Sequence, residues 1–120
     1  MGQMIKSSNY KILDCTLRDG GYHNNWRFSK KLINSYLNCM SKQGIEYIEL
    51  GFRFLNQNKL RGETAYTKEN FIKKLKIPKN LSIGVMINAS DFVNNSSSIT
   101  KLCSDVFPEL KKSKIKFVRL

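Results

Sequence analysis

An arginine and an aspartate stand side by side at Arg18-Asp19, directly after a short apolar run and directly before Gly20-Gly21. The apolar run, residues 11–17, predicts a buried strand, and residues 18–28 predict the loop that follows it. In parallel α/β folds, ligands bind at the carboxyl ends of the strands. A carboxylate at that place suits a hard cation such as Mg²⁺ or Mn²⁺, and a guanidinium suits an oxyanion or an enolate. An ion pair on a surface turn is the alternative interpretation.

The elements that would position this pair follow from the pattern of apolar residues. Ser29 predicts a helix N-cap, and Gly44 predicts the end of that helix. Its apolar face is predicted to carry Leu32, Ile33, Tyr36, Leu37 and Met40. Three more strands are predicted at residues 45–52, 81–88 and 115–120, and two more helices are predicted at residues 67–75 and 99–107.

This order, β-α-β-α-β-α-β, predicts an α/β protein with a parallel sheet and right-handed crossovers. Two architectures fit it: about half of a (β/α)8 barrel, or a small doubly wound sheet. The 120 residues suffice for one domain, whereas a complete eight-fold barrel needs about 250. Periodicity alone does not choose between the two.

Composition excludes some classes of protein and leaves others open. The net charge of +12 invites a nucleic-acid interpretation, but no run of five or six like charges occurs, and a solvated basic surface is favoured. Three widely separated cysteines predict buried free thiols in a reducing compartment rather than disulfides or a zinc site. No signal peptide or membrane span is expected, so the predicted location is the cytoplasm.

The segment Asp14-Cys15-Thr16-Leu17-Arg18-Asp19-Gly20-Gly21 resembles the first-strand motif of a known family of metal-dependent barrel enzymes. That family includes 3-hydroxy-3-methylglutaryl-CoA lyase, isopropylmalate and homocitrate synthases, and 4-hydroxy-2-oxovalerate aldolase. Residues 22–26 and 45–53 are similar to its aldolase catalytic-domain branch, and the resemblance extends over about residues 11–120. It is supported further by Arg61-Gly62, Ala65-Tyr66-Thr67 and Val85-Met86-Ile87-Asn88.

The resemblance implies roles for individual residues. Asp19 would be a ligand of a divalent metal, Mn²⁺ or Mg²⁺, and Arg18 would stabilise an enolate or its carbonyl precursor. Glu49 matches an active-site carboxylate position. The implied reactions are C–C bond cleavages and condensations of 2-oxo acid or acyl-CoA substrates, in which the metal and the arginine act as an electron sink.

The sequence departs from the family at its metal site. Family members complete that site with a late His-x-His pair, whereas this chain has a single histidine, His23. His23 is a candidate base, with an exposed loop histidine as the alternative. We therefore expect residues 1–120 to be the N-terminal portion of a truncated barrel domain, inactive alone and completed by a missing half-barrel or by a second copy.

Two other interpretations remain beside this one. A non-catalytic basic module that kept the fold and binds nucleic acid or a protein partner is supported only by the charge. An independent flavodoxin-like domain is disfavoured because the first loop lacks a glycine pattern such as G-x-G-x-x-G. Asn88 and Arg119 lie near predicted strand ends and are further candidates for a site, while Trp26 and Phe28 are expected to anchor the first loop.

Overall fold

Four parallel strands form the single sheet of the computed structural model, which describes residues 10–120. They are β1 (Leu13–Asp14), β2 (Tyr47–Phe52), β3 (Ser82–Met86) and β4 (Ile115–Arg119). The strands lie side by side in chain order and alternate with helices. The predicted α/β class with parallel β-α repeats is therefore confirmed. A sector of a barrel has this sequential order, whereas a doubly wound sheet reverses its order at a switch point.

Five helices accompany the strands in the described residues. They are α1 (Thr16–Asn24), α2 (Lys30–Lys42), α3 (Glu69–Ile72), α4 (Ala89–Val93) and α5 (Ile99–Val106), with short 3₁₀ turns at Glu63–Ala65 and Leu110–Lys112. The predicted cap of α2 is confirmed, since the Ser29 hydroxyl accepts a hydrogen bond from the Leu32 backbone N–H at 3.1 Å. Gly44, with φ of 76°, ends the segment. Leu32 itself is exposed, so its predicted place on the apolar face is wrong.

The segment after the first strand differs most from its prediction. β1 has two residues rather than seven, and most of the predicted loop over residues 18–28 is the helix α1. Asp14 supports the start of the helix, because its carboxylate accepts hydrogen bonds from both the backbone N–H and the hydroxyl of Thr16. The helix ends where Asn25 and Trp26 adopt left-handed φ angles of 55° and 56°.

Gly20 and Gly21 are typical of a loop, so the pattern did not predict α1. Their free-energy cost in a helix is small compared with the gain from a tertiary contact. A Cβ on Gly21 would lie 1.9 Å from Cδ1 of Trp26, so the bare glycine is what lets the indole pack on the helix. The indole is buried, and Phe28 packs against the main core. The expectation that Trp26 and Phe28 anchor this segment is therefore confirmed.

The later helices agree with their predictions to different degrees. α3 has four residues and begins after Lys68, not at Thr67, whose φ of 39° is incompatible with a cap. The helix α4 was not predicted from the sequence pattern. For α5, the Ser98 hydroxyl accepts a hydrogen bond from the Lys101 backbone N–H at 3.2 Å, which fixes the start of the helix.

The two faces of the sheet differ in character. One face packs against the helices through a buried apolar core, which contains Ile33, Leu37, Ile48, Leu50, Phe71, Ile72, Ile83, Val85 and Ile115. Side chains alternate along a strand, so Glu49 lies on the other face, away from this core. Register shifts between Glu49 and Gly51 and between Ile83 and Gly84 alter the alternation beyond those points.

The cysteines are all free, as the sequence predicts, but they are not all buried. Cys39 is exposed on α2 and lies outside the apolar core. Cys15 is half-buried and lies between β1 and α1 rather than in the middle of a strand. Among the helices of residues 10–120, none combines the length and the apolar character that a membrane crossing requires.

Candidate functional site

Arg18 is brought to the end of the sheet by the sharp passage from β1 into α1. The helix begins two residues after β1 ends, so its first turn lies beside β2. The Arg18 carbonyl accepts a hydrogen bond from the Trp26 indole N–H at 2.9 Å. Its guanidinium lies 5.8 Å from the centre of the Phe52 ring, within the range of a cation–π contact. These contacts fix both ends of the arginine.

Glu49 is the anchor of the cluster, with a side chain that is 0 % exposed. Its Oε1 accepts a hydrogen bond from Arg18 Nε at 2.7 Å and another from Arg119 Nη2 at 2.9 Å. Its Oε2 accepts one from Arg119 Nε at 2.6 Å. Burial acts to raise the pKa of this carboxyl, but the hydrogen bonds from Arg119 and Arg18 outweigh it and hold the pKa below its usual value. Glu49 is therefore ionised at neutral pH.

Arg119 reaches Glu49 across an intervening strand. Glu49 of β2 is aligned with Gly84 of β3, which is aligned with Phe117 of β4. A Cβ on Gly84 would lie 2.2 Å from the Phe117 ring, so the ring occupies the space that a side chain would need. The Phe117 ring also packs against the Tyr47 ring of β2, with 5.9 Å between the ring centres. Because Gly84 has no side chain, side chains of β2 and β4 can contact each other above β3.

Asp19 lies at the outer end of the same chain of charges. Its Oδ1 accepts a hydrogen bond from Arg18 Nη1 at 2.5 Å, and its side chain is 64 % exposed. Asp19, Arg18, Glu49 and Arg119 thus alternate in sign. The sequence-predicted residues Asp19, Arg18 and Glu49 are brought together, and Arg119 joins them.

Whether these residues can hold a divalent metal depends on the ligands that they offer. Within residues 10–120, no group of three or more His, Cys, Asp or Glu side chains is placed to hold a metal ion. Both oxygens of Glu49 are taken by arginines, and Asp19 has one oxygen outside its ion pair. A hard cation requires about six ligands. The described residues therefore do not by themselves fit a metal centre, and Asp19 supplies a single ligand towards one.

Cys15 is a neighbour of the cluster that sequence reasoning missed. Its Sγ lies 3.6 Å from Arg119 Nη2. Burial raises the pKa of the thiol and the charge of Glu49 raises it further, while Arg18 and Arg119 act in the opposite direction without cancelling the increase. No local motif marks this contact, because it joins residues 104 positions apart in the chain.

The other candidates lie outside the cluster. His23 is exposed in the last turn of α1, about 140° around the helix from Arg18 at the normal helical rotation. It forms no hydrogen bond with the cluster, and its role as a base stays a prediction. Asn88 precedes α4 and makes no capping hydrogen bond through its side chain.

Two open surface depressions lie apart from the cluster of Asp19, Arg18, Glu49 and Arg119. One is lined by Asn34, Ser35, Asn38, Lys76, Ile77 and Pro78, and the other by Arg61, Gly62, Glu63 and Tyr66. Neither includes a residue of the cluster. The cluster is thus placed on an open edge of the sheet rather than in either depression.

A parallel sheet with an ionised cluster at the carboxyl ends of its strands defines an α/β protein with a candidate ligand site at that edge. No protein-family model matches the chain, and no curated protein matches it. A solved structure does: "the N-terminal domain of a putative aldolase from Bacteroides vulgatus" is 31% identical, with a TM-score of 0.74. The match covers 91% of this chain and 34% of that chain, so this chain spans about a third of its length.

Proposed function

We propose that the chain forms the N-terminal portion of an aldolase-type (β/α)8 barrel of the 3-hydroxy-3-methylglutaryl-CoA lyase and 4-hydroxy-2-oxovalerate aldolase family. In this proposal it contributes Arg18, Asp19 and Glu49 to a centre for C–C bond cleavage or condensation of 2-oxo acid or acyl-CoA substrates. The observation that carries the proposal is the buried Glu49 carboxylate that fixes Arg18 at the carboxyl edge of the sheet. The likeness to an aldolase domain and the sequential strand order support it.

The chemistry assigned to Arg18 is stabilisation of negative charge. Cleavage of the bond next to a carbonyl leaves an enolate, whose oxygen needs hydrogen-bond donors that are already in place. Arg18 uses Nε for Glu49 and Nη1 for Asp19, and no carboxylate of the described residues accepts a hydrogen bond from Nη2. Glu49 is paired on both sides and ionised, so it positions the arginine rather than transferring a proton.

A divalent metal belongs to this proposal only through Asp19. When bound, Mn²⁺ or Mg²⁺ would polarise the substrate carbonyl as a Lewis acid. The further ligands would have to come from outside the described residues or from water. We therefore expect the chain alone to lack the family reaction until a missing half-barrel or a second copy completes the centre.

The test uses oxalate, a planar mimic of the enolate of a 2-oxo acid, titrated calorimetrically into the chain with and without Mg²⁺. Asp19 and two oxygens of oxalate would give Mg²⁺ three ligands and water the others, so binding should be stronger with Mg²⁺, and Asp19→Asn should remove the difference. Arg18→Lys should weaken binding by about tenfold, because a lysine loses the planar fork of donors. The control Asp105→Asn, at an exposed position on α5, should change neither result.

Three outcomes would count against the proposal. They are an absence of oxalate binding with Mg²⁺, equal binding by the Asp19→Asn variant with and without Mg²⁺, and equal affinity of Arg18→Lys and the unaltered chain. Cleavage of 4-hydroxy-2-oxopentanoate by the pure chain would contradict the expectation that it is inactive alone. DNA retention with a steep salt dependence would favour the basic binding module instead.

A further inference from the structure

Two guanidinium groups share one oxygen of a fully buried carboxylate. Arg18 donates to Oε1 of Glu49 from α1, and Arg119 donates to the same oxygen from the end of β4, which β3 separates from β2. We propose that Arg18 and Arg119 together form a subsite for a substrate carboxylate, with Glu49 as the residue that positions them. The proposal rests on the proposed function and names both a substrate group and a residue, Arg119, to which that function gives no role.

Arg18 and Arg119 bring two positive charges close together, and the single negative charge of Glu49 only partly offsets the repulsion between them. Glu49 accepts hydrogen bonds from both guanidinium groups, and its side chain, at 0 % exposure, is shielded from solvent. Arg18, Glu49 and Arg119 sum to one net positive charge. Asp19 adds a negative charge at the far side of Arg18, but that side chain is 64 % exposed and is screened by water. Asp19 pairs with Arg18 alone, so Glu49 is the one carboxylate that Arg119 contacts among the described residues, and an anion at the outer side of the two arginines would supply a second.

The donors needed for such an anion are present. Arg119 uses Nε and Nη2 for Glu49, and Nη2 also contacts Cys15. No carboxylate of the described residues accepts a hydrogen bond from Nη1 of Arg119 or from Nη2 of Arg18. The Arg119 side chain is 43 % exposed, so its outer edge faces solvent. Glu49 and Cys15 restrict both arginines, so little order has to be imposed when an anion binds.

The shape of the donors favours a carboxylate. Nη2 of Arg18 and Nη1 of Arg119 would each donate to one oxygen of the same carboxylate, which makes a fork with one donor nitrogen from each guanidinium. Nη2 of Arg18 carries two hydrogens, so one can bind the carboxylate of a 2-oxo acid and the other its adjacent carbonyl oxygen, where the proposed function requires charge stabilisation. The carboxylate would thus define the orientation of the substrate before any bond is broken.

The experiment titrates pyruvate into the isotopically labelled chain in EDTA and follows the arginine Nε–H signals by NMR. We expect the signals of Arg18 and Arg119 to shift with pyruvate and not with methyl pyruvate, which keeps the ketone and lacks the charge. Arg119→Lys, which keeps the charge, and Arg119→Gln should both weaken pyruvate binding by about tenfold or more, since charge-assisted hydrogen bonds are the strong kind. The matched control is Lys116→Gln, an exposed position on the same strand that removes the same charge.

Each alternative outcome overturns the subsite. Equal weakening by Lys116→Gln and Arg119→Gln would indicate attraction by overall charge alone. Equal binding of inorganic phosphate and pyruvate would exclude a carboxylate-specific site, and unchanged affinity in Arg119→Lys would remove the role of the fork. Because the titration contains no metal and does not involve Asp19, its failure is distinguishable from failure of the Mg²⁺-dependent oxalate test.

Discussion

Glu49 determines the state of the other charged groups in the cluster. Its lowered pKa means that folding favours the ionised form. The stability that it contributes is therefore fully present above the ordinary carboxyl pKa of about 4.3 and is lost as the pH falls through the lower value of the folded chain. At neutral pH its charge also acts on Cys15, which makes that thiol a reporter of Glu49.

Replacing Glu49 by glutamine should make Cys15 more reactive. Loss of the carboxylate removes one of the two influences that raise the pKa of the thiol, while Arg18 and Arg119 continue to lower it. Each unit by which the pKa falls increases the thiolate fraction about tenfold below the pKa. We expect alkylation of Cys15 by iodoacetamide at pH 7.5 to become a few-fold to about tenfold faster, as measured by mass spectrometry of the resulting peptides.

Unfolding would also expose Cys15, so the same spectra must exclude it. Half-buried Cys103, which packs against a separate apolar cluster, should keep its rate in the folded variant. Glu109→Gln, at an exposed position paired only with Lys112, should leave Cys15 unchanged. An unchanged or slower reaction of Cys15 in Glu49→Gln would show that the carboxylate does not control the thiol.

The sequence identified part of this cluster, and the remainder depends on long-range geometry. Arg18 and Asp19 are adjacent and follow an apolar run, which made them candidates from the pattern itself, whereas Glu49 was implied by the family resemblance. Arg119 was a candidate from position only. Its contact with Glu49 joins β4 to β2 across β3, in a sheet whose register shifts between β3 and β4, and local patterns do not encode either feature.

At the scale of elements, α1 is the part of the chain that defines the site. It carries Arg18 and Asp19, and the Trp26 indole packs on it where Gly21 leaves space. The sequence predicted β2, β3, β4 and α2 close to their observed bounds, because each has a clear apolar period. It failed for α1, whose two glycines are typical of a loop and whose helix depends on tertiary contacts.

The two neighbouring glycines of α1 give a matched pair of substitutions. Gly21→Ala should destabilise the fold by about 1–3 kcal/mol, because its Cβ would overlap the buried indole of Trp26. Gly20→Ala should stabilise it by about 0.5–1 kcal/mol, since alanine favours a helix. The nearest atom to its Cβ, Cζ of Phe28, lies at an ordinary 3.8 Å. Urea unfolding followed by Trp26 fluorescence measures both, and a shift of the two midpoints in the same direction would contradict this account of α1.

At the scale of the whole molecule, the sheet has two edges, β1 and β4, whose outer sides pair with no other described strand. β1 pairs only with β2, and β4 pairs only with β3. On β4, Val118 is 43 % exposed although it is aligned with buried Val85. An exposed apolar edge strand is a template for pairing with another chain. We therefore propose that this sheet associates, either with a complementary half-barrel or with a second copy.

Self-association should be visible in sedimentation velocity as a sedimentation coefficient that rises with protein concentration. Val118→Lys should shift the chain towards the monomer, because a charge on an edge strand opposes pairing. Val93→Lys makes the same chemical change at an exposed position on α4, 72 % exposed and away from the sheet edge, and should leave association unchanged. If the unaltered chain stays monomeric at every concentration and unfolds cooperatively, the exposed edge of β4 is not an association surface. If both lysine variants dissociate the chain equally, general charge repulsion at a net charge of +12 governs association rather than β4.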